Sequence, residues 1–250
     1  MIKFFRKIRQ GLLNENKFSK YLLYAIGEIL LVVIGILIAV SINNWNENRK
    51  LQNEELNLLE EVKSNLETTL ENFRLDSLYN SNTIRHYEKI NDYVETDLSY
   101  NEELDSAFAS ITLWSSPFAT SIAYKTLQNK GIDIIRNKSL KNDIVDLYDV
   151  KITTLSIDFD QAEWSLSQSV IQPFYSKNIR RLNDISLNSS RPNDFEKLKY
   201  NDEFLNILSM LIRQRRKGLE YYKETMIAIK SVIKEIDIEL KSRTEPNWEN

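Results

Sequence analysis

The stretch YLLYAIGEILLVVIGILIAVSI, from Tyr21 to Ile42, is the longest apolar run of the chain and contains one charged residue, Glu28. A helix rises about 1.5 Å per residue, so about 22 residues span the roughly 30 Å hydrocarbon core of a bilayer. The stretch therefore predicts a transmembrane helix. A cleaved signal peptide is the alternative, because Ala39-Val40-Ser41 fits a small-x-small cleavage pattern. The apolar core of a signal peptide is only about 7–15 residues long, so the length favours an uncleaved anchor.

Positive charges lie mainly before this span. Residues 1–20 mix basic and apolar side chains at helical spacing, which is typical of an amphipathic helix on an anionic membrane surface. The same charges are also those that any anchor keeps on its cytoplasmic side. The basic residues before the span are Lys3, Arg6, Lys7, Arg9, Lys17 and Lys20, and those that closely follow it are Arg49 and Lys50.

This asymmetry predicts a single-pass protein of the cytoplasmic (inner) membrane, with its N-terminus in the cytoplasm. We expect a cytoplasmic tail over 1–20, a membrane span over 21–42 and a periplasmic domain over 43–250. The residues expected to contact the membrane surface are Lys3, Arg6, Lys7, Arg9 and Trp45.

The composition limits the possible functions. The chain has 250 residues and a formal net charge of -3, which does not indicate a nucleic-acid partner. Cysteine is absent and the chain has one histidine, which excludes thiolate metal sites and any site that needs two imidazoles. With 5 Gly and 4 Pro, long helices are favoured over a loop-rich β fold. We expect no cofactor.

Apolar residues recur three or four positions apart after the span, which predicts an all-α fold. The predicted architecture is one transmembrane helix leading into an elongated bundle of about four long helices, at roughly 46–95, 102–130, 138–173 and 201–242. Asn101 and Asn137 are expected N-caps, Gly131 an expected helix end, and Pro173 the end of the third bundle helix. Ser116-Pro117 is expected to restart a helix, with the proline in its first turn. Residues 176–194 are expected to form a long polar loop. The last helix carries a heptad-like apolar stripe that aims Arg215 inward.

The N-terminal blocks IKFFRKIRQ, ENKFSKYLLYAIGEILLVVIGILIA and INNWNENRK resemble a family of unknown function among the membrane proteins of Bacteroidetes. Its members share a basic N-terminal tail, a span that contains IGEI and an INNWNE block after it. The resemblance is specific over residues 1–50 and general over the rest, which has a KTLQNKGIDII turn. It implies a single-span inner-membrane protein and assigns no catalytic residue.

Glu28 requires an explanation, because a carboxylate near the centre of a bilayer costs about 2.5–3.5 kcal/mol. At 100° per residue, Gly35 and Ala39 lie within about 20° of Glu28, and Val32 lies between them. Small residues let helices approach closely in lipid, and a polar group on that face can hydrogen-bond across. The leading hypothesis is that Glu28, in its protonated form, Val32, Gly35 and Ala39 form a helix–helix interface with another copy or with a membrane-protein partner.

Two other interpretations of Glu28 stay open. It could be a proton-relay acid of an accessory subunit in an ion-driven membrane complex, which would require a channel-forming partner. It could also be solvated by a thinned inner leaflet or by Lys20.

The remaining candidates for chemistry are predicted to be ordinary helix surface. His86 is expected to be an exposed helix residue, and the basic run Arg213, Arg216, Lys217 an exposed face. The paired acids Glu60-Glu61, Glu102-Glu103 and Asp143/Asp146/Asp149 are expected to be solvated. One histidine cannot complete a triad with the abundant serines, and no phosphate-binding or nucleophile motif is present.

Three classes of function follow from these observations. The first is a non-enzymatic, membrane-anchored envelope protein that binds a partner or scaffolds a complex. The second is a sensory module, for which a tail of about 20 residues leaves no room for an output domain. The third is an enzyme, which the motif search disfavours.

Overall fold

The computed structural model describes residues 18–182 and 189–244. These residues are mostly helical, which confirms the predicted all-α class; the rest comprises one pair of short strands and non-helical segments, of which 113–121 is the longest that is fully described. The chain divides between Glu55 and Leu56 into two compact units. The predicted boundary at residue 42 concerns the membrane surface and stays a prediction.

The first unit is described from Phe18 onward and contains the start of helix α1, Phe18–Glu95. This is the one helix in the described ranges that is long and apolar enough to cross a membrane. Its most apolar part is not buried by any described residue, unlike the core helix of a soluble protein. The predicted surface contacts Lys3, Arg6, Lys7 and Arg9 lie outside the described residues, and the predicted topology stays an expectation.

Helix α1 ends in a Schellman motif. The amide of Asp97 donates to the carbonyl of Val94, and the amide of Leu98 donates to that of Tyr93. Asp97 takes the left-handed position of this motif, with φ of 52°. Its carboxylate also accepts a bond from Lys199 Nζ at 2.7 Å, which lowers the pKa of Asp97. The helix end near residue 95 agrees with the sequence prediction.

The helix predicted over 102–130 is divided into two. Asn101 caps a 3-10 turn, Glu102–Leu104, which leads into α2, Asp105–Ser110. The next helix, α3, spans Ile122–Lys130 and ends at Gly131 with φ of 99°, as predicted. Ser116-Pro117 does not start a helix, so that expectation is wrong.

Side chains of α1 hold the non-helical segment in place. The Thr69 hydroxyl accepts from the Thr120 amide at 3.0 Å, and Asn65 Oδ1 accepts from the Ala123 amide at 3.1 Å. Asn72 Nδ2 donates to the Phe118 carbonyl at 3.4 Å, and the Ser115 hydroxyl donates a hydrogen bond to the Asp76 carboxylate. This ladder of α1 side chains, Asn65, Thr69, Asn72 and Asp76, provides bonds that the backbone would otherwise find within a helix.

The third bundle helix runs from Lys138 to Asn178 without a break and alternates α and π geometry. Its α segments are α4, Lys138–Val145; α5, Asp160–Leu166; and α6, Gln172–Asn178. Its π segments are Asp146–Ile152, Thr154–Phe159 and Ser167–Ile171. Asn137 caps it as predicted, by accepting from the amides of Ser139 and Leu140. Pro173 does not end it: the proline follows a π segment, where the helical hydrogen-bond ladder is already interrupted.

Within the predicted loop 176–194, the described residues include the end of a helix and two short strands, so that part of the expectation is wrong. Strands β1, Ile179–Arg181, and β2, Ser190–Pro192, pair antiparallel with Arg180 opposite Arg191. A short helix α7, Phe195–Lys199, and the long α8, Asp202–Thr244, complete the described chain. The last helix agrees with the predicted 201–242.

The unit from Leu56 onward has two apolar cores. The first is built around Phe73, Leu127 and Tyr222, and the second around Tyr87, Phe108 and Phe204. Along α1 and α8, residues of the first core are separated from those of the second by buried polar side chains, including Asn80 and Arg215. The fold therefore places a polar region between two apolar ones.

Candidate functional site

The predicted membrane stripe lies on the exposed, apolar part of α1. Val32 is 54% exposed, and a Cβ added at Gly35 would meet nothing within 4 Å among the described residues. Ala39 is exposed and Glu28 is half-buried. The helix backbone is thus open to a close approach at Gly35. Contact between this stripe and another helix stays a prediction.

Trp45 follows the apolar stretch and is 65% exposed. The guanidinium carbon of Arg49 lies 6.0 Å from the centre of its ring, at the limit of a cation–π contact. An indole beside a cation is suited to the polar surface of a bilayer. Its contact with a membrane stays a prediction.

The acidic pairs that invited a hydrolytic or metal-binding interpretation face cations or solvent. Glu103 Oε2 lies 3.1 Å from Lys89 Nζ, and Glu102 Oε1 lies 3.1 Å from Arg191 Nη2. Glu60 and Glu61 are exposed. Among the residues that the structure describes, no three or more His, Asp or Glu side chains converge as metal ligands.

The central feature of the polar region is a buried ion pair between Glu163 and Arg215. Glu163 is 2% exposed and Arg215 is 3% exposed, and Nη1 of the guanidinium contacts Oε2 of the carboxylate. Arg215 Nη2 also donates to the Leu113 carbonyl at 3.2 Å. Within the described residues, Glu163 Oε1 and Arg215 Nε have no hydrogen-bond partner. This pair is only partly satisfied.

Two tyrosines from the neighbouring cores border the pair. The Tyr87 hydroxyl donates to the Ser110 carbonyl at 3.0 Å, and burial raises the pKa of Tyr87 to about 12. Burial also raises the pKa of Tyr222 strongly. Burial raises the pKa of Glu163 as well, and the charge of Arg215 opposes that shift. Both tyrosines are therefore neutral at physiological pH.

The inward position of Arg215 agrees with the heptad prediction, whereas sequence reasoning missed its partner. Helical spacing in the sequence predicts that Leu155, Phe159, Ala162, Leu166 and Val170 line one side of this helix. In the structure the buried positions are Leu155, Phe159, Glu163, Ser167 and Ile171, four residues apart. A π turn closes its hydrogen bond over five residues and so contains more residues than an α turn. The π segments thus bring Glu163 to the core face.

The single histidine lies in the wall of a groove between α1 and α2, and it is less exposed than the sequence analysis expects. His86 is half-buried, and burial, followed by the charge of Lys89, lowers its pKa. The groove has a volume of about 570 Å³ and is also lined by Arg85, Lys89 and Leu113. Arg216, from the basic run of α8, is exposed as predicted and pairs with Glu88 at 2.6 Å.

The fold thus defines a class of helical proteins. In this class, one chain contains a long apolar helix that is able to cross a membrane and a helical unit that has its own apolar cores. Residues 28–156 match the model of the family of unknown function DUF6090. The chain belongs to this family, which confirms the predicted membership of a family of unknown function. No curated protein and no solved structure matches the chain.

Proposed function

We propose that the protein is a non-enzymatic, membrane-anchored envelope protein that assembles through its span with another copy or with a membrane-protein partner. In this proposal the span lies in the cytoplasmic membrane, the N-terminus is cytoplasmic and the helical domain is periplasmic. The lipid bilayer and the membrane partner are its expected contacts, and nucleic acid is not.

The observation that supports the proposal most is Glu28 on the same stripe as Gly35 in an exposed apolar helix. A carboxyl group in hydrocarbon is retained where it lies against protein or water, because lipid offers it no hydrogen bonds. A second helix that packs on Gly35 would cover Glu28 and keep lipid away from it. The ion pairs of Glu102 and Glu103 with basic side chains support a structural role for these acids over a catalytic one.

Disulfide cross-linking in membranes tests the interface. The chain has no cysteine, so Ile42→Cys, about 40° from Glu28 on the helix, would be its only thiol. We expect oxidation to give a cross-linked dimer. Gly35→Leu and Glu28→Leu should each reduce the dimer fraction by at least half, because one blocks the close approach and the other removes the polar bond. Glu28→Gln keeps a hydrogen-bonding group and should retain most of it.

Leu37→Phe is the matched control, since it adds volume on the face opposite Glu28 and should leave cross-linking unchanged. Unchanged association of the Glu28→Leu variant would disprove the interface. A chain that does not cross-link to itself, and is recovered from membranes alone by a tag at its outer end, would also contradict the proposal.

A sensory role is the second candidate, and the partly satisfied Glu163–Arg215 pair favours it. A buried charge pair with unpartnered atoms is the kind of packing that can have two arrangements of similar energy. The tag pull-down distinguishes the two roles. A stoichiometric partner that carries a cytoplasmic output domain would support sensing, and one without such a domain would support scaffolding.

A further inference from the structure

We propose that the groove beside His86 binds a small organic anion, in which one carboxylate or phosphate group is attached to an apolar body. The groove lies entirely within the unit from Leu56 onward and has a volume of about 570 Å³. This is within the range of about 300–1,000 Å³ that small-molecule sites occupy. The inference does not depend on the proposed assembly through the span.

The charge of the groove comes from one wall. Arg85 and Lys89 lie four residues apart on α1, with His86 beside them. The Arg85 guanidinium donates one hydrogen bond, to Asn82 Oδ1 at 3.3 Å. No carboxylate of the described residues lies within 4.0 Å of it. The rest of its planar fork of donors remains available for a carboxylate or phosphate group.

His86 is the second observation. Its Nδ1 atom is buried, and no described residue hydrogen-bonds to it. Burial, followed by the charge of Lys89, lowers the pKa of His86 and so favours the neutral imidazole, which has one donor and one acceptor nitrogen. Buried polar groups normally have partners. This Nδ1 atom is enclosed by the fold, so His86 contributes to the site as a residue of the groove wall.

The charges around the groove indicate a ligand with one negative group, because only part of the positive charge is neutralised by a neighbouring acid. Lys89 Nζ lies 3.1 Å from Glu103 Oε2, so part of its charge is already neutralised. From α2, the groove receives the hydroxyl of Ser106, which is neutral and exposed. Arg85 is thus the principal uncompensated cation of the site.

The rest of the lining is suited to an apolar body. Ala109 and Leu113 face the groove from the other side, and Tyr79 contributes an aromatic ring from α1. An inorganic anion alone would leave this apolar surface in contact with water. A ring or short acyl chain attached to the acid group would cover it and gain from its burial.

Titration calorimetry on the full chain in nanodiscs of zwitterionic lipid tests this site. The probes are benzoate and phenyl phosphate, with uncharged benzamide as the isosteric comparison. We expect at least one of the two anions to bind at least tenfold more tightly than benzamide. Arg85→Gln and His86→Gln should each weaken that binding at least tenfold.

Arg74→Gln is the matched control, because it makes the same change on an exposed part of α1 eleven positions earlier and should not alter binding. The Arg85→Gln and His86→Gln variants both change side chains that are at least partly exposed. Circular dichroism will verify that they keep the helix content of the original protein. Equal binding of benzamide and the anions, or an unchanged affinity in Arg85→Gln, would overturn the proposal.

A second arm identifies the source of the anionic group. Nanodiscs that contain an anionic phospholipid would displace the bound probe if a lipid headgroup occupies the groove. Unchanged affinity in those nanodiscs would identify a soluble anion as the ligand. Either result, with the effect of Arg85→Gln, supports the anion site.

Discussion

Glu163 and Arg215 bring two opposite charges into a part of the protein from which water is excluded. Taking two ions out of water is costly, and their mutual attraction repays this cost only when their other polar atoms are also bonded. Here Glu163 Oε1 and Arg215 Nε lack partners within the described residues. The pair therefore contributes little net stability, although the loss of either partner would leave an uncompensated buried charge.

This reasoning predicts different results for single and double substitutions. Glu163→Gln should lower the free energy of unfolding by about 3–5 kcal/mol, because the guanidinium stays buried without a counter-charge. The double variant Glu163→Leu/Arg215→Met should be close to the original protein or more stable. Urea unfolding followed by the fluorescence of Trp114 and Trp164, which contact each other near the pair, measures both.

The pH dependence provides a control for the same pair. In Arg215→Met the carboxyl of Glu163 stays buried, so its pKa in the folded state lies above that of the unfolded chain. The folded state then binds the proton more tightly, and stability should recover as the pH falls from 8 to 5. Glu163→Gln has no such group and should not recover. A double variant as unstable as the singles would contradict this account.

The sequence correctly predicted the inward position of Arg215 and the N-cap at Asn137. It did not predict the burial of Glu163 or the partial burial of His86. A cap or a heptad position depends on neighbours within one turn, which the sequence shows directly. The burial of His86 depends on α2, which lies across the groove and is distant in the chain. The proposed role of Glu28 in a helix–helix interface stays a prediction.

At the scale of the elements, the helix from Lys138 to Asn178 shows why helical periodicity can mislead. Its buried side chains recur every four residues because α and π turns alternate. A stripe drawn with a period of 3.6 departs from the core after Phe159. Nothing in the local sequence marks a π turn, since its extra residue is stabilised by packing against other elements.

Gly218 of α8 provides a test of that packing. A Cβ at this position would lie 2.5 Å from Cζ of Phe159, at the end of a π segment. Gly218→Ala should therefore lower the free energy of unfolding by about 1–3 kcal/mol through overpacking. This would occur although Ala is about 1 kcal/mol better than Gly inside a helix. Chemical denaturation provides the measurement.

Ser209→Ala, on an exposed position of the same helix, is the matched control and should not destabilise the protein. The cost of Gly218→Ala should also become smaller when Phe159 is replaced by Leu, because the ring is the group that clashes. If Gly218→Ala stabilises the protein, the two helices are not packed as closely as described.

The segment between α2 and α3 shows the limit of local signals. Pro117 fits the first turn of a helix, yet the backbone there bonds to side chains of α1 about 50 residues earlier. Such distant partners compete with helix formation and leave no local pattern. The ends at Asn101 and Gly131 were predictable because they depend on adjacent residues.

At the scale of the whole molecule, the unit from Leu56 onward contains both apolar cores. The apolar surface that these two cores bury should suffice for a domain of about 195 residues to fold independently. We predict that residues 56–250, produced without the first 55, are soluble and helical. Circular dichroism and thermal unfolding should show a cooperative transition. A non-cooperative transition, or binding of hydrophobic dyes in buffer, would contradict this prediction.

The all-α class was predictable because helical spacing is a property of the sequence alone, and the family was predictable because its N-terminal sequence blocks are present in the chain. The presence of two cores was not, because it results from polar positions on different helices that meet only in the folded chain.

The side-chain ladder on α1 has a consequence for how this sequence can change. Asn65, Thr69, Asn72 and Asp76 share one helix face, and one inserted or deleted residue among them would rotate the positions beyond it by about 100°. Those side chains would then point away from the segment that they hold. This part of α1 should therefore tolerate substitutions more readily than changes in length.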